Sequence, residues 1–536
     1  MTGEGCGTMQ SADQLMQRLE MLNAIGIALS SERNIGNLVE LILLAAKNLV
    51  NADAGTLYLV EGDTLKFEIV RTDSLGIALG GSTGRVPPMP PIPLHLGDGV
   101  PNTSTVVGCA ALLGETFNIP DAYQAVGFDF SGTKRFDAAN GYHSKSFLTV
   151  PMRNHENEII GVLQLINKLA PDRSIEDFST DDQRLVESLA SQAAIALTNR
   201  HLINQLENLF EALINLINTA IDDKSPYTGG HCERVPVLTM MLAEATSKAN
   251  WGPFKSFHMT EKDRYELKIA GLLHDCGKIT TPVHVVDKST KLETIFDRIA
   301  LVDTRFEVLK RDAEIAHLKG ELDAGAYAAR LAQYADDKAF LRRTNQGGEF
   351  MRPEDQARVR GIAAYVWSGT DENCQSVPFL SEDEVTNLGV ARGTLTDAER
   401  QIINHHIEVT IRLLEALPWP RHLTNVPEYA GGHHERMDGR GYPRGLTRSQ
   451  MSVQARMMGI ADIFEALTAR DRPYKPGKTL SESLGILARM TRDQHVDPDL
   501  FEIFIREKVY MQYARMFLEP GQIDAVDEAQ LLAMAG

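Results

Sequence analysis

Ala430-Gly-Gly-His-His-Glu-Arg-Met-Asp-Gly-Arg-Gly-Tyr-Pro-Arg-Gly-Leu446 places two adjacent histidines in a glycine-rich segment that contains a Gly-Tyr-Pro turn. Glycine backbone turns tightly and lets ring nitrogens come close to a bulky or highly charged group. Imidazole is the commonest neutral ligand for borderline divalent metals. This stretch therefore favours a metal site over a structural role for the two histidines.

Other histidines and carboxylates in the chain have the pattern of further metal ligands. Leu272-Leu-His-Asp-Cys-Gly-Lys278 places a His-Asp pair at the end of an apolar helical run, with a lysine four residues after the histidine. The remaining candidates are His231, the pair His405 and His406, and Asp462. A carboxylate can bridge two cations, as in two-metal sites that hydrolyse phosphodiesters. The alternative is a set of unrelated core histidines and a capping aspartate.

Helical phase separates the two histidines of the pair. Thr396-Asp-Ala-Glu399 predicts a capping box that opens a helix. Adjacent helical residues lie about 100° apart, so His405 and His406 cannot both face the core. His406 shares a stripe with Ile402 and Val409 and is the predicted ligand.

Together these motifs resemble those of the HD-GYP phosphodiesterases. The matching residues are His274-Asp275, Gly277-Lys278, His433-His434-Glu435, Asp438-Gly439 and Gly441-Tyr442-Pro443. That family is all-helical, belongs to the HD superfamily and hydrolyses the bacterial second messenger cyclic di-GMP. The resemblance covers roughly residues 210–515 and is interrupted once.

The resemblance implies two divalent metals, iron or manganese, and a role for each matching residue. One metal would be held by His231, His274, Asp275 and Asp462. The second would share Asp275 and add His406, His433 and His434. Asp275 and Lys278 would be catalytic, Asp275 as the bridge and Lys278 at the phosphate. Substrate would also be held by Tyr442, Arg472 and Lys475.

The resemblance also bears on the number of metals and on the product. Some relatives hold a third metal through a glutamate one helical turn before the position of His231, and here that position is Tyr227. A phenol is a poor ligand near neutral pH because its pKa is about 10. We therefore expect two metals and a linear dinucleotide as the first product, with slower cleavage to the mononucleotide.

Composition sets the broad class of the protein. A chain of 536 residues predicts two or three domains, and its net charge of −18 argues against nucleic-acid binding, which needs a basic face. Five scattered cysteines without CxxC spacing favour reduced thiols. The sequence has neither a signal peptide nor an apolar run long enough to span a bilayer, so we expect a cytoplasmic protein without membrane contact.

The N-terminal part reads as helices around a sheet. A helix from Ala12 to Ser31 and a second over residues 34–50 precede strand-like runs at 54–60, 65–70, 146–150 and 159–166. This order resembles a GAF domain, here over residues 12–180. Asn167, Lys168, Phe178 and Asp182 resemble a pattern of cyclic-nucleotide-binding GAF domains, although Gln183 replaces its final glutamate. They are the candidate contacts for a small-molecule ligand.

A connecting helix over residues 181–224 joins this domain to the rest. Its apolar residues alternate spacings of four and three: Leu202, Leu206, Leu209, Leu213, Leu216 and Ala220. That spacing predicts a parallel coiled coil and hence a homodimer. The alternative is a helix that packs on its own domain.

The predicted architecture is therefore multidomain α+β: an antiparallel GAF domain, a connecting helix and an all-α HD-GYP domain over residues 225–520. Residues 288–395 form a charged, helical insertion without a cluster of metal ligands, and its His317 is a predicted surface residue. Three alternatives for function stay open: an HD enzyme for another nucleotide, a non-catalytic receptor for cyclic di-GMP, and a protein whose main work is sensing by the GAF domain.

Overall fold

The computed structural model describes residues 20–224, 230–348, 350–370, 376–470 and 477–536. The chain divides into two compact units, Met1–Phe210 and Glu211–Gly536. Among the described residues, no helix is both long and apolar enough to cross a bilayer.

The first unit is built on an antiparallel sheet whose central strands are adjacent in the order β3-β2-β1-β9-β8-β7. The strands of this unit are β1 Ala52–Glu61, β2 Thr64–Thr72, β3 Ile77–Gly80, β4 Ile92–Pro93, β5 His95–Leu96, β6 Val100–Pro101, β7 Phe117–Ile119, β8 Phe147–Arg153, β9 Ile159–Leu169 and β10 Ile175–Glu176. Strands β5 and β6 form a separate two-stranded sheet. The four strand-like runs predicted from the sequence are β1, β2, β8 and β9. Each is confirmed, with bounds shifted by up to three residues.

Helices cover this sheet. A helical segment at residues 20–31 comes first, and residues 12–19 of the predicted helix lie outside the described residues. It is followed by α1 Ile35–Val50, α2 Val106–Leu113 and α3 Ser131–Asn140. Apolar residues of α1 at helical spacing, Leu38, Ile42 and Leu43, are fully buried against the sheet. The predicted antiparallel sheet flanked by helices is confirmed.

The four residues of the predicted GAF pattern make structural contacts. Lys168 pairs with buried Asp182 across 2.5 Å, and the Asn167 amide donates to the carbonyl of His143 across 2.8 Å. Phe178 is buried in the same core as α1. These contacts tie the end of β9 to the helix that follows.

A cavity of about 640 Å³ lies elsewhere in this unit. Its lining includes Tyr58, Phe67, Phe130, Arg135, Tyr142 and Gln164, and does not include the four residues of the pattern. Their assignment as ligand contacts stays a prediction, because the structure gives them no part in the walls of this cavity.

One helix, α4 Thr180–Lys224, continues from the first unit into the second. In the second unit it buries Ile214 and Ile221, each 2% exposed. The predicted seam lies on other faces of the helix. Its leucines are 46–67% exposed in the single chain: Leu202, Leu206, Leu209, Leu213 and Leu216.

The second unit is predominantly helical. Its helices are α5 His231–Lys248, α6 Glu261–Leu273, α7 Val283–Val286, α8 Ile299–Leu318, α9 Ala324–Asn345, α10 Pro353–Ala363, α11 Glu382–Leu388, α12 Asp397–Glu415, α13 Val426–Gly431, α14 Val453–Thr468, α15 Leu480–Arg492, α16 Pro498–Arg506, α17 Val509–Phe517 and α18 Glu528–Ala535. The predicted capping box at Thr396 is present and opens α12.

The insertion predicted at 288–395 contains helices α8 to α11, as expected. It also contains strands that the sequence analysis missed, β11 Val366–Thr370 and β12 Ser376–Pro378, which pair with each other. A separate apolar core holds it together, with Phe306 and Phe379 at its centre. His317 is partly buried: it contacts the carbonyl of Leu322 and stacks on Tyr327.

Candidate metal centre

Five elements of the second unit bring the predicted ligands to one place. His231 is the first residue of α5, and His274 and Asp275 follow α6 directly. His406 projects from α12, and Asp462 from α14. The adjacent histidines follow α13: His433 and His434.

The first group of ligand atoms surrounds His231. Its Nε2 lies 3.3 Å from Nε2 of His274 and 3.2 Å from Oδ2 of Asp275. Oδ1 of Asp462 lies 3.3 Å from the same nitrogen. Two imidazoles and two carboxylates therefore converge on a volume the size of one cation.

The second group lies on the other side of Asp275. Its Oδ1 is 3.3 Å from Nε2 of His406, which is 3.2 Å from Nε2 of His434. One ligand nitrogen each from His406, His433 and His434 lies within 4.8 Å of the others. The two oxygens of Asp275 thus face two different sets of ligands.

Several of these histidines are held in the form that binds metals. Nδ1 of His274, of His406 and of His433 lies 2.5–2.7 Å from a backbone carbonyl three residues earlier. A carbonyl oxygen only accepts, so Nδ1 carries the proton and Nε2 carries the lone pair. Each Nε2 therefore points its lone pair into the centre.

Unsatisfied buried atoms also fit a metal. Nε2 of His433 and Oδ1 of Asp275 are buried without a hydrogen-bond partner in the part of the chain that the structure describes. Such groups are costly unless something binds them. Carboxylate and imidazole donors suit iron, manganese or zinc. The residues present therefore fit two divalent metals.

Burial and charge set the protonation of the centre. Burial opposes ionisation of Asp275, but the positive charge of Lys278 and contacts with His231 and His274 hold its pKa well below the usual range. Burial, assisted by neighbouring histidines, lowers the pKa of His433 far below its ordinary value. Burial likewise lowers the pKa of His434 to about 4. Asp275 is therefore ionised and His433 and His434 are neutral, which are the forms that can bind a metal.

Lys278 and Tyr442, two of the predicted substrate contacts, lie at the centre. Nζ of Lys278 is 2.5 Å from Oδ2 of Asp275, so in this structure it pairs with the carboxylate that faces both groups of ligand atoms. The ring of Tyr442 stacks on His434, with 4.8 Å between centroids and 19° between planes. Arg472 and Lys475 lie outside the described residues, as does Tyr227.

The loop that carries Asp275 rests against α12. The N–H of Gly277 donates to Oγ1 of Thr410 across 2.9 Å. A Cβ at Gly277 would lie 2.0 Å from the carbonyl oxygen of His406. The absent side chain therefore allows the approach that sets Asp275 beside His406.

The prediction that His406 and not His405 faces inward from α12 is confirmed, although Ile402, which was placed on the same stripe, is 43% exposed. His406 is 4% exposed and points into the centre, whereas the side chain of His405 is 54% exposed and contacts Glu408 across 2.8 Å. The difference follows from the 100° between adjacent helical residues.

Two buried glutamates had no assigned role in the sequence analysis. Glu435 accepts from the N–H groups of Arg444 and Leu446, at 2.8 and 2.9 Å, and so shapes the glycine-rich loop. Oε2 of Glu465 lies 2.5 Å from Nδ1 of His231. A signal for Glu465 exists in the sequence, because it lies three residues after Asp462 on the same face of a helix.

Family comparisons agree with this division of the chain. Residues 34–197 match the GAF domain family, and residues 228–336 and 382–500 match HD domain families. The chain therefore has an N-terminal GAF domain followed by HD-domain sequence in two segments. The gap between these segments, residues 337–381, lies within the insertion.

Several curated relatives are named as phosphodiesterases. A cyclic di-GMP phosphodiesterase of Pseudomonas aeruginosa is 36% identical over 137 residues, which are 25% of this chain and 32% of that protein. A 3′3′-cGAMP-specific phosphodiesterase of Vibrio cholerae is 23% identical over 319 residues, 60% of this chain and 42% of that protein. A dual cyclic-AMP and cyclic-GMP phosphodiesterase of Takifugu rubripes is 31% identical over 200 residues, 37% and 21% of the two chains. This chain spans less than half the length of each.

Proposed function

We propose that this protein hydrolyses a 3′–5′ phosphodiester bond of cyclic di-GMP at a two-metal centre in its HD domain. The observation that carries the proposal is the position of Asp275. Its Oδ2 lies 3.2 Å from His231 and its Oδ1 lies 3.3 Å from His406, so one carboxylate faces both groups of ligands.

The residues divide into two ligand sets in this proposal. One set consists of His231, His274, Asp275 and Asp462, and the other of Asp275, His406, His433 and His434. Two divalent ions, iron or manganese, would supply Lewis acidity and generate hydroxide from water near neutral pH. The protein holds the ligand atoms in a buried site, so charge on the phosphoryl oxygens interacts strongly with the centre.

Lys278 and Tyr442 are the proposed substrate contacts inside the described part of the chain. The Lys278 side chain is 26% exposed, whereas Asp275 is 2% exposed. The ammonium of Lys278 can therefore turn from the carboxylate of Asp275 to a phosphate oxygen of the substrate without entering the core. Tyr442 lies over His434 at the surface of the centre, where its ring can contact a base or a ribose. Arg472 and Lys475 complete the proposed set.

Two cyclic dinucleotides compete as substrate. Cyclic di-GMP is supported by the relative in Pseudomonas aeruginosa, by another in Thermotoga maritima that is 34% identical over 114 residues, and by the Gly-Tyr-Pro motif. The cGAMP-specific relatives in Vibrio cholerae favour a second candidate, 3′3′-cGAMP. Both contain the same 3′–5′ phosphodiester, so the chemistry proposed at the metals is common to them.

The test is anaerobic purification with metal analysis, followed by chromatography of products from each cyclic dinucleotide. We expect two metals per chain, a linear dinucleotide as first product, and slower release of mononucleotide. Binding of cyclic di-GMP without turnover in excess substrate would make the protein a receptor. Turnover of a nucleoside triphosphate or guanosine tetraphosphate alone would place it among other HD enzymes. Three protein-bound metals would contradict the two-metal count.

We also propose that the protein is a homodimer through α4. The leucines at the a and d positions of the seam, Leu206, Leu209, Leu213 and Leu216, are 52–67% exposed in the single chain. Isolated apolar side chains at a surface are ordinary, but a row at heptad spacing is typical of a coiled coil. A neighbouring face of the same helix is already occupied, because Ile214 and Ile221, about 100° around the helix from the seam, are buried.

The remaining proposals concern organisation. Residues 12–180 form the GAF domain, 181–224 the connecting helix and 225–520 the catalytic domain with its insertion at 288–395. A small molecule in the GAF cavity would regulate hydrolysis through α4, and the protein would work in the cytoplasm. Titration of the full chain with cyclic nucleotides, read as a change in the rate of hydrolysis, tests the regulatory part. It also tests the alternative in which sensing is the main function.

A further inference from the structure

Helices α5 and α14 pack together, and each contributes two side chains to their contact. Within each helix the two residues are three positions apart. His231 and Arg234 lie on α5, and Asp462 and Glu465 lie on α14. Positions i and i+3 share a helical face. The four side chains therefore form a continuous row in which basic and acidic residues alternate.

The row holds both nitrogens of one ring. Nε2 of His231 faces Oδ1 of Asp462 at 3.3 Å, and Nδ1 faces Oε2 of Glu465 at 2.5 Å. The other oxygen of Glu465 accepts from Nε of Arg234 at 2.7 Å. The side chain of Glu465 is 1% exposed, so this carboxylate is out of water and has both oxygens bound.

This arrangement differs from that of the other ligand histidines. His274, His406 and His433 each place Nδ1 against a neutral backbone carbonyl. Only His231, among the ligand histidines with a described Nδ1 contact, is held by an ionised carboxylate. A carboxylate partner fixes the orientation of an imidazole and raises its basicity as a ligand.

Arg234 makes this arrangement independent of a metal. A buried carboxylate without a counter-charge is strongly disfavoured. Nη2 of Arg234 lies 2.6 Å from Oε1 of Glu465, so this carboxylate has a counter-charge of its own. The contact with Arg234 therefore fixes the carboxylate of Glu465 beside Nδ1 of His231.

We propose that Glu465, held by Arg234, is a positioning residue that orients His231 and selectively strengthens the metal position formed by His231, His274, Asp275 and Asp462. The two metal positions are then unequal. The first has two carboxylates and a carboxylate-supported imidazole, whereas the second has one carboxylate and three imidazoles. This inference rests on the two-metal centre proposed above.

The test measures Mn²⁺ binding to the metal-stripped full-length protein, by calorimetry and by electron paramagnetic resonance. Glu465→Gln keeps the shape of the side chain and removes its charge. It should raise the dissociation constant of one Mn²⁺ by about 10–100-fold and leave the other within about threefold. The His406→Ala variant should bind Mn²⁺ only at the first position. Adding Glu465→Gln to this variant should then raise the dissociation constant of the Mn²⁺ that remains.

Matched variants separate positioning from general loss of structure. Glu266 is also buried and accepts from the backbone and side chain of Asn425, so Glu266→Gln removes a carboxylate away from the ligand rings. It should lower thermal stability without changing either dissociation constant. If Glu465→Gln does not fold because Arg234 loses its ion pair with Glu465, the double variant with Arg234→Gln removes both charges and should show the same selective loss. Glu465→Asp should restore part of the affinity.

The outcomes are distinct. Equal weakening of both positions, or no weakening in a folded Glu465→Gln variant whose parent binds two Mn²⁺, would overturn this inference and leave the proposed function standing. A parent protein that binds no Mn²⁺ and hydrolyses no cyclic dinucleotide would overturn the proposed function itself.

Discussion

Gly277 offers a direct test of how Asp275, the proposed bridging carboxylate, is placed. An alanine Cβ at this position would lie 2.0 Å from the carbonyl oxygen of His406 and 2.7 Å from the amide nitrogen of Thr410. Both are backbone atoms of α12, so no side-chain rotation can relieve the overlap. Ordinary contact begins near 3.4 Å. The loop and the helix must therefore separate by roughly 1.4 Å, the difference between these two distances.

That separation would move Asp275 away from His406 and so disturb the second proposed metal position. Oδ1 of Asp275 and Nε2 of His406 are now 3.3 Å apart, and metal–ligand distances tolerate about 0.2 Å of error. We expect Gly277→Ala to lose one of two metals and to lower kcat/KM at least about 100-fold, as for misplacement near 1 Å. Overpacking should cost about 1–3 kcal/mol of unfolding free energy.

Metal analysis, turnover of cyclic dinucleotide and thermal melting of the purified full-length protein measure these effects. Gly485→Ala is the matched control, because its Cβ would meet only the tip of Arg489 at 3.9 Å within α15. It should keep both metals and gain up to about 1 kcal/mol from helix propensity. A folded Gly277→Ala protein with two metals and turnover within threefold of the parent would refute the reasoning.

Three further predictions concern the ligands, pH and assembly. The His406→Ala variant should lose the second metal and the His405→Ala variant should keep both, because only His406 is buried in the centre. Equal loss of metal from the two variants, measured by metal analysis, would mean that the orientation of α12 does not decide which histidine binds. Glu40 accepts from Arg71, and although burial opposes ionisation, that bond lowers the pKa of Glu40 from 4.5 to about 2. The stabilisation by ionised Glu40 is present above pH 4.5 and is lost as the pH falls toward 2. Glu40→Gln should therefore destabilise the melting transition of the GAF domain by about 1.5–3 kcal/mol at pH 7, and by less as the pH falls through this interval. A stability difference between parent and variant that stays constant with pH would contradict this prediction. The double variant Leu209→Glu, Leu213→Glu should be a monomer by light scattering at micromolar concentration. The control double variant Asn208→Glu, Asn215→Glu, which lies outside the seam, should remain a dimer. A parent protein that is itself a monomer would contradict the proposed coiled coil.

The elements that periodicity defines were predictable from the sequence. Alternating apolar residues predicted β1, β2, β8 and β9, and the capping box at Thr396 predicted the start of α12. Helical phase separated His406 from His405. In each case the deciding interactions are local or depend on which side of one element is apolar.

Contacts between distant segments were not predictable in this way. Glu465 meets His231 across 234 positions of sequence, and only the packing of α5 on α14 makes them neighbours. The separate core of the insertion depends on Phe306 meeting Phe379, which no helical period reveals. Motif matching also left the walls of the GAF cavity unidentified, because Lys168 and Asp182 satisfy each other away from it.

The charge of the centre explains how an acidic protein could attract a dianionic substrate. The net charge of the chain is −18, which by itself repels cyclic dinucleotides. The proposed ligands include two carboxylates, Asp275 and Asp462, and five imidazoles, which add no negative charge. Two divalent cations would exceed that negative charge, and Lys278 adds to the excess. Removing the metals should therefore weaken substrate binding as well as abolish hydrolysis, and the loss of binding should be larger at low ionic strength. Equal affinity of the metal-stripped and metal-loaded proteins for cyclic di-GMP, measured by calorimetry, would show that the substrate is held outside the field of this centre.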